Sequence, residues 1–166
     1  VEGLFTFKEV LVYAFTNTMI GSARIQDVPS LIRVLHDSIR SCSLDHQHRE
    51  IKIQRLLENK NQENLLLLMH YNNCWVYELQ HQVVGFILAS DQGEVLMNYV
   101  APDVQQRGIG KLLLNEVLHY YQQRQMKRIV LASTRTALPF YQKYGFQIQP
   151  QAIEPVLHIP LVKYLD

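Results

Sequence analysis

Apolar positions along the chain change period in a regular order, from alternation to helical spacing and back. Residues 19–25, MIGSARI, read as a short strand. Asp27 then offers an N-cap to a helix that carries Leu31, Val34, Leu35, Ser38, Ile39 and Cys42 on one face. From 44 to 71 the pattern is helical but interrupted. HREIKIQRLLENK is polar and amphipathic, and ENLLLLMHY, with four leucines in a row, is assigned to a helix by its length. CWVYELQHQVVGFILAS predicts a hairpin, with strands near 74–80 and 83–90 about a turn at Gln80, His81 and Gln82. A strand at 94–100 follows. Ile109, Leu112, Leu113, Val117, Tyr120 and Tyr121 then recur at helical spacing to about Gln125, while Lys111, Asn115, His119 and Gln122 face water.

RIVLAS, 128–133, is a compact apolar strand, and the helix before it acts as a crossover that sets it parallel to 94–100. A short helix over 137–144 stops at Gly145. Residues 146–165 predict two strands, which Pro150, Pro155 and Pro160 confine to edges or turns. The sum is a single α/β (α+β) domain from residue 19 onward, with residues 1–18 read as an extension.

Composition narrows the partners. A chain of 166 residues suits one domain with a core, and 48% hydrophobic against 19% charged residues excludes disorder and fibre. Sixteen basic and fifteen acidic residues leave a net charge of +1, with no broad footprint for nucleic acid or an anionic membrane. Any anion must therefore be held locally. The apolar run near the N-terminus is bracketed by Lys8, Glu9, Thr16, Asn17 and Thr18, too closely for a membrane helix. Cys42 and Cys74 form no CxxC motif and read as reduced thiols of a cytoplasmic protein. His46 and His48, two residues apart without a nearby cysteine, are expected to be solvated, and no metal is expected.

QQRGIGKLLL, 105–114, sets Gly108 and Gly110 where a polar loop becomes an apolar helix. Each costs about 1 kcal/mol relative to alanine inside a helix. A binding role would compensate: the first amides of a helix are unpaired, the dipole adds positive charge, and Arg107 and Lys111 bracket the spot. A helix start with two turn glycines and no ligand is the alternative. The GxxxxGKS/T loop is absent, and Leu113 stands where the third glycine of GxGxxG would be.

VAPDVQQRGIGKLLL resembles the acyl-CoA-binding signature of the GNAT superfamily of N-acetyltransferases, Q/R-x-x-G-x-G/A, met by Gln105, Gly108 and Gly110. ALPFYQKYGF, about thirty residues on, is similar to the A-x-x-F-Y-x-x-x-G-F segment of the same superfamily. The resemblance covers residues 19 to about 166. It implies a central mixed, mostly antiparallel twisted sheet with a splayed parallel strand pair, flanked by helices, and acetyl-CoA as acyl donor. Asn98, Tyr99 and Val100 would line its pantetheine arm, with Val100 as backbone partner. Gln105, Gln106, Arg107, Gly108, Ile109, Gly110 and Lys111 would hold its pyrophosphate. Thr134 stands where many members carry asparagine, so a hydroxyl would replace part of that contact.

Tyr141 resembles the family tyrosine that sits near the sulfur and can protonate the departing thiolate; a core aromatic on a short helix is the alternative, a role that better suits Phe140 beside it. Glu94, eleven residues before Gln105, resembles the base of histone-type members acting through water; a solvated glutamate is the alternative, and Asp91 and Tyr99 are substitutes. Ser133 and Cys74 have no visible base, which speaks against a covalent mechanism. The implied reaction is direct attack by a primary amine, taken to belong to a small molecule. A peptide or protein amine, and a non-catalytic acyl-CoA-binding module, are the alternatives. His46, Arg49, Glu63, His70 and Tyr71 are the acceptor-side candidates, and an open sheet edge would allow a homodimer.

Overall fold

The computed structural model of the protein describes residues 18–150 and 158–165, so the expected extension lies outside the described residues except for Thr18, as does Pro155. Strand β1 spans Thr18–Ser22 and stops short of the predicted end. The reason is local: Ile25–Asp27 forms a 3-10 turn, and the Arg24 amide donates to Asp27 Oδ2 at 2.7 Å. Asp27 therefore closes the turn ahead of helix α1, Val28–Ser41, and its side chain does not cap that helix. Three shorter helices follow: α2 (Ser43–His46), α3 (Glu50–Leu57) and α4 (Gln62–Tyr71). The leucine run is helical as predicted, its start capped by the Asn64 amide donating to Asn61 Oδ1 at 2.9 Å.

β2 (Asn73–Leu79) and β3 (Gln82–Ala89) form the predicted hairpin, turning through Gln80 and His81, both at positive φ. β4 (Glu94–Val100), α5 (Ile109–Gln123), β5 (Arg128–Ser133), α6 (Leu138–Lys143), β6 (Gln147–Ile148) and β7 (Ile159–Tyr164) complete the order. They build one seven-stranded sheet, β1-β2-β3-β4-β5-β7-β6, antiparallel except where β4 runs beside β5. This is the expected mixed sheet with one parallel pair. Pro160 corrects one expectation, because it lies within β7 opposite Ala132, not at an edge or turn. Its carbonyl accepts from the Gln149 amide, so its missing N–H points to the β6 side, where β6 has already ended.

Each face of the sheet carries its own core. α1 and α4 cover one face, where Leu31, Leu35 and Leu65 meet Val76, Phe86 and Leu88. α5 covers the other, where Leu113, Leu114, Val117 and Tyr121 meet Ile87, Ala89, Ile129 and Leu131. The buried stripe of α5 includes Leu114 and leaves Leu112 42% exposed, reversing the expectation for Leu112; Tyr120 is only half-buried. Tyr121 anchors the helix through its hydroxyl, which donates to the carbonyls of Ser90 (2.6 Å) and Glu94 (3.1 Å). The expectation of a solvated His46 is also overturned. It is fully buried, its Nε2 meeting the Arg40 carbonyl at 3.1 Å while Nδ1 accepts the His48 amide at 3.0 Å. That bracket joins the end of α1 to the loop after α2, whereas His48 is exposed.

α5 approaches β3 where a glycine stands. A Cβ on Gly85 would meet Ile109 Cγ2 at 3.1 Å, Leu113 Cδ1 at 3.2 Å and the Tyr99 carbonyl at 3.3 Å. Gly85→Val is expected to cost about 1–3 kcal/mol by overpacking this contact. A lowered urea midpoint with an unchanged m value would register that loss.

Candidate functional site

The site begins with an irregularity in β4. Leu88 of β3 pairs with Met97 and its neighbour Ala89 with Val95, so Leu96 is an extra residue, a β-bulge. The bulge changes which side chains face which core. Val95 packs on the α5 side and Met97 and Tyr99 on the α1 side, while Val100 returns to the α5 side. It also bends β4 away from β5, whose pairing ends with Glu94↔Val130 and Val95↔Leu131. Beyond that point the strands diverge.

The Ala101 amide donates to Val84 of β3, so by strand alternation the N–H and C=O of Val100 point the other way, into the gap. Gln105 Nε2 donates to that Val100 carbonyl at 2.9 Å, and the Val100 amide, beyond the last pair with β5, has no ladder partner among the described residues.

This gap widens into a cleft of about 690 Å³, lined along one wall by β4 from Val95 to Val100 and at its head by Gln105, Gln106, Gly108, Ile109, Gly110 and Lys111. Gly108, at φ +84, is the residue before α5, and the Leu112 amide is the first to close back on its carbonyl. The amides of Ile109, Gly110 and Lys111 accordingly lack intrahelical acceptors, and Gln106, also at positive φ, turns the loop toward them. Such an arrangement suits an anion, such as a phosphate oxygen, and Lys111 stands on its wall. Arg107 is not part of it; the side chain is exposed and donates to the Asp103 carbonyl at 3.4 Å. The two glycines differ in cause. Gly108 answers to backbone conformation, whereas a Cβ on Gly110 would make only ordinary contact with the Phe140 ring at 3.5 Å. Nothing in the protein alone requires glycine at 110, but Gly110 lines the cleft.

Tyr141, on α6, lines the cleft and is 6% exposed. Burial pushes its hydroxyl up to about 12, against a counteracting hydrogen-bonding influence from the Asn98 side chain. The phenol keeps its proton across the neutral range. Asn98 Oδ1 is buried with no hydrogen-bond partner among the described residues, an acceptor left open beside the tyrosine. Tyr99, which also lines the cleft, is likewise pushed up to about 12, by burial first and then by Cys42 and Asp45. Thr134 lines the cleft, but its hydroxyl already accepts the Ala137 amide at 3.2 Å and so caps the approach to α6.

The carboxylates expected as bases lie elsewhere. Glu94 is exposed at the start of β4, before the bulge, and is not among the cleft's walls. Asp91 sits in the β3–β4 turn, where it accepts from the Tyr120 hydroxyl and from Asn73 Nδ2 and pairs with Arg124 at 3.8 Å. The Tyr120 hydrogen bond, foremost, holds its carboxyl below the usual range.

The acceptor-side candidates need correction too. His46, Arg49, Glu63, His70 and Tyr71 are absent from the lining, which is instead supplied by Ser38, Ile39, Cys42, Asp45, Leu56, Lys60 and His158. Sequence reasoning missed Asp45 and Lys60. The one usable signal was Cys42 on the apolar face of α1, which places the residues just after it over β4. Burial raises the Cys42 thiol and takes the Cys74 thiol up to about 12, so neither is an activated nucleophile. No cluster of potential metal ligands and no helix long and apolar enough to cross a membrane occurs among the described residues.

Comparison with known proteins agrees with this geometry. Residues 43–164 match the family model described as acetyltransferase (GNAT) domain. The peptidyl-lysine N-acetyltransferase YiaC of Escherichia coli is 32% identical over 88 residues, which are 52% of this chain and 58% of that protein. The match thus spans little more than half of the curated relative's length. Two solved structures share the fold. A GCN5-related N-acetyltransferase from Rhodopseudomonas palustris superimposes with TM-score 0.79 at 16% identity, covering 90% of this chain and 96% of its own. The PaiA N-acetyltransferase of Thermoplasma acidophilum, solved with coenzyme A, gives 0.78 at 21% identity, covering 89% and 99%.

The glycines separate fold from binding. Gly108→Ala is expected to lower unfolding free energy by about 1–2 kcal/mol through its left-handed backbone. Gly110→Ala should leave the denaturation midpoint unchanged or raised while weakening coenzyme A binding about tenfold in calorimetry, a difference of about 1.4 kcal/mol.

Proposed function

This chain belongs to the GNAT acetyltransferase family, and we propose that it transfers an acetyl group from acetyl-CoA to a primary amine of a small molecule. The observation that carries the reading is the divergence of β4 from β5 beneath the open amides of α5, with Tyr141 buried at the gap.

Acetyl-CoA supplies an activated thioester carbonyl. The α5 amides of Ile109, Gly110 and Lys111 suit its pyrophosphate, and the Val100 N–H suits the peptide-like pantetheine arm, much as an added strand would pair. A neutral amine attacks the carbonyl carbon, the C–N bond forms, and negative charge develops on oxygen, where a backbone N–H of the splayed strand can stabilise it. The C–S bond then breaks. Tyr141 gives its proton to the departing sulfur; with its hydroxyl raised to about 12 it carries that proton at any working pH, at the cost of a smaller driving force for giving it up. Thr134 and the open Asn98 Oδ1 border the same region and would orient the thiol end. Glu94 has no part in this scheme; the amine's proton leaves through solvent in the open cleft, and the Tyr141 phenolate recovers a proton from the same solvent.

A second reading is acetylation of a peptidyl lysine, favoured by the name and 32% identity of the E. coli relative over 88 residues. A CoA-release assay over amines, amino acids, polyamines, aminoglycosides and lysine peptides decides between them. Turnover confined to peptides supports the second reading, and tight acetyl-CoA binding without CoA release from any amine supports a sensing module. Tyr141→Phe is expected to lower kcat about 10²- to 10⁴-fold with little change in acetyl-CoA affinity. Unchanged turnover in that variant removes the tyrosine from the acid role.

A further inference from the structure

We propose that the acceptor end of the cleft is built for an amine that also carries a carboxylate: Asp45 receives the ammonium group, and Lys52 and Arg135 receive the carboxylate beyond it. The inference rests on the transferase reading and names the chemistry of its acceptor.

Asp45 is the one carboxylate among the described residues lining the cleft. It shares that cleft with Tyr99 and with the buried Tyr141. The carboxylate is also held in place. Its Oδ1 accepts the Thr136 amide at 3.2 Å, a contact that joins the α2 side of the cleft to the loop between β5 and α6. Asp45 forms no ion pair among the described residues, so its charge is available to a ligand.

A second cavity, of about 190 Å³, opens beside the first, and Asp45, Leu56, Thr134 and His158 belong to the walls of both. Its remaining polar walls are Gln47, Lys52 and Arg135. Neither cation is in an ion pair among the described residues; Lys52 Nζ makes a single 3.5 Å contact with Gln47 Oε1. A molecule reaching from the cleft past Asp45 into this cavity thus leaves a wall that holds Asp45 and Lys60 and meets the two further cations Lys52 and Arg135. At about 30 Å³ for each water-sized group, this cavity holds roughly six such groups, enough for a short carboxylate-bearing arm. An ammonium and a carboxylate separated by a short chain match that sequence of charges, whereas a simple alkylamine or a polyamine leaves the cations unanswered.

The test titrates the full chain, loaded with coenzyme A, with 6-aminohexanoate and with its carboxamide, and reads binding by calorimetry. The carboxylate is expected to bind at least about tenfold more tightly, a gap of about 1.4 kcal/mol. Lys52→Ala combined with Arg135→Ala should erase the gap without weakening the carboxamide. Asp45→Asn, which keeps an acceptor for the Thr136 amide, should weaken both amines to a similar degree. Equal affinity for the pair, a gap that survives the double variant, or tighter binding of a lysine peptide blocked at both ends would each overturn the proposal. CoA release is followed in parallel: amine binding without CoA release defeats the transferase reading, while absence of the carboxylate preference defeats this one.

Discussion

One extra residue in β4 underlies the organisation of the molecule. Leu96 interrupts the alternation of the strand, and the interruption has two effects at once. It moves Val95 and Val100 to the α5 side and Met97 and Tyr99 to the α1 side, so the strand feeds both cores. It also turns β4 away from β5 after only two paired residues. A strand interior to a sheet normally satisfies its backbone on both sides, and an open amide there costs free energy unless water or a ligand takes it. The Val100 carbonyl is met by Gln105, and the amide beside it waits for a partner.

The rest of the fold holds that gap in register with α5. Gly85 lets the helix sit against β3, and Tyr121 fastens its far end to the turn between β3 and β4. Because both ends of the packing are determined, the unpaired amides at the start of α5 face the mouth of the cleft. Dipole, open amides and the Lys111 wall then act on the same small volume, so a chain with a net charge of only +1 concentrates positive potential there.

The opposite wall is assembled from distant pieces of sequence. Asp45 lies just beyond α1, Lys60 just beyond α3, and Thr136 between β5 and α6, and the 3.2 Å contact from the Thr136 amide to Asp45 bridges ninety-one positions of chain. His46 was legible in the sequence only as a polar residue near another histidine. Its burial depends on the return of the chain after α2, which brings the Arg40 carbonyl and the His48 amide to its two ring nitrogens. Leu112 and Leu114 exchange roles for a similar reason: a helical period selects a stripe only approximately, and contact with β3 through Ile109 and Leu113 sets the angle.

By itself the sequence determined the elements and the donor side. Periodicity, Gly145, the Gln80–His81 turn and the helix start at Gly108 are governed by contacts within a few residues, and such local physics is readable along the chain. The same holds for the two motifs around Gly108 and Tyr141, whose spacing carries the family resemblance. Only the tertiary structure decided the bulge at Leu96, the absence of Glu94, Asp91 and Arg107 from the cleft, and the choice of Asp45 and Lys60 as its walls. Those outcomes depend on strand register and on packing between residues far apart in sequence, where a shift of one position turns a side chain to the other face of the sheet.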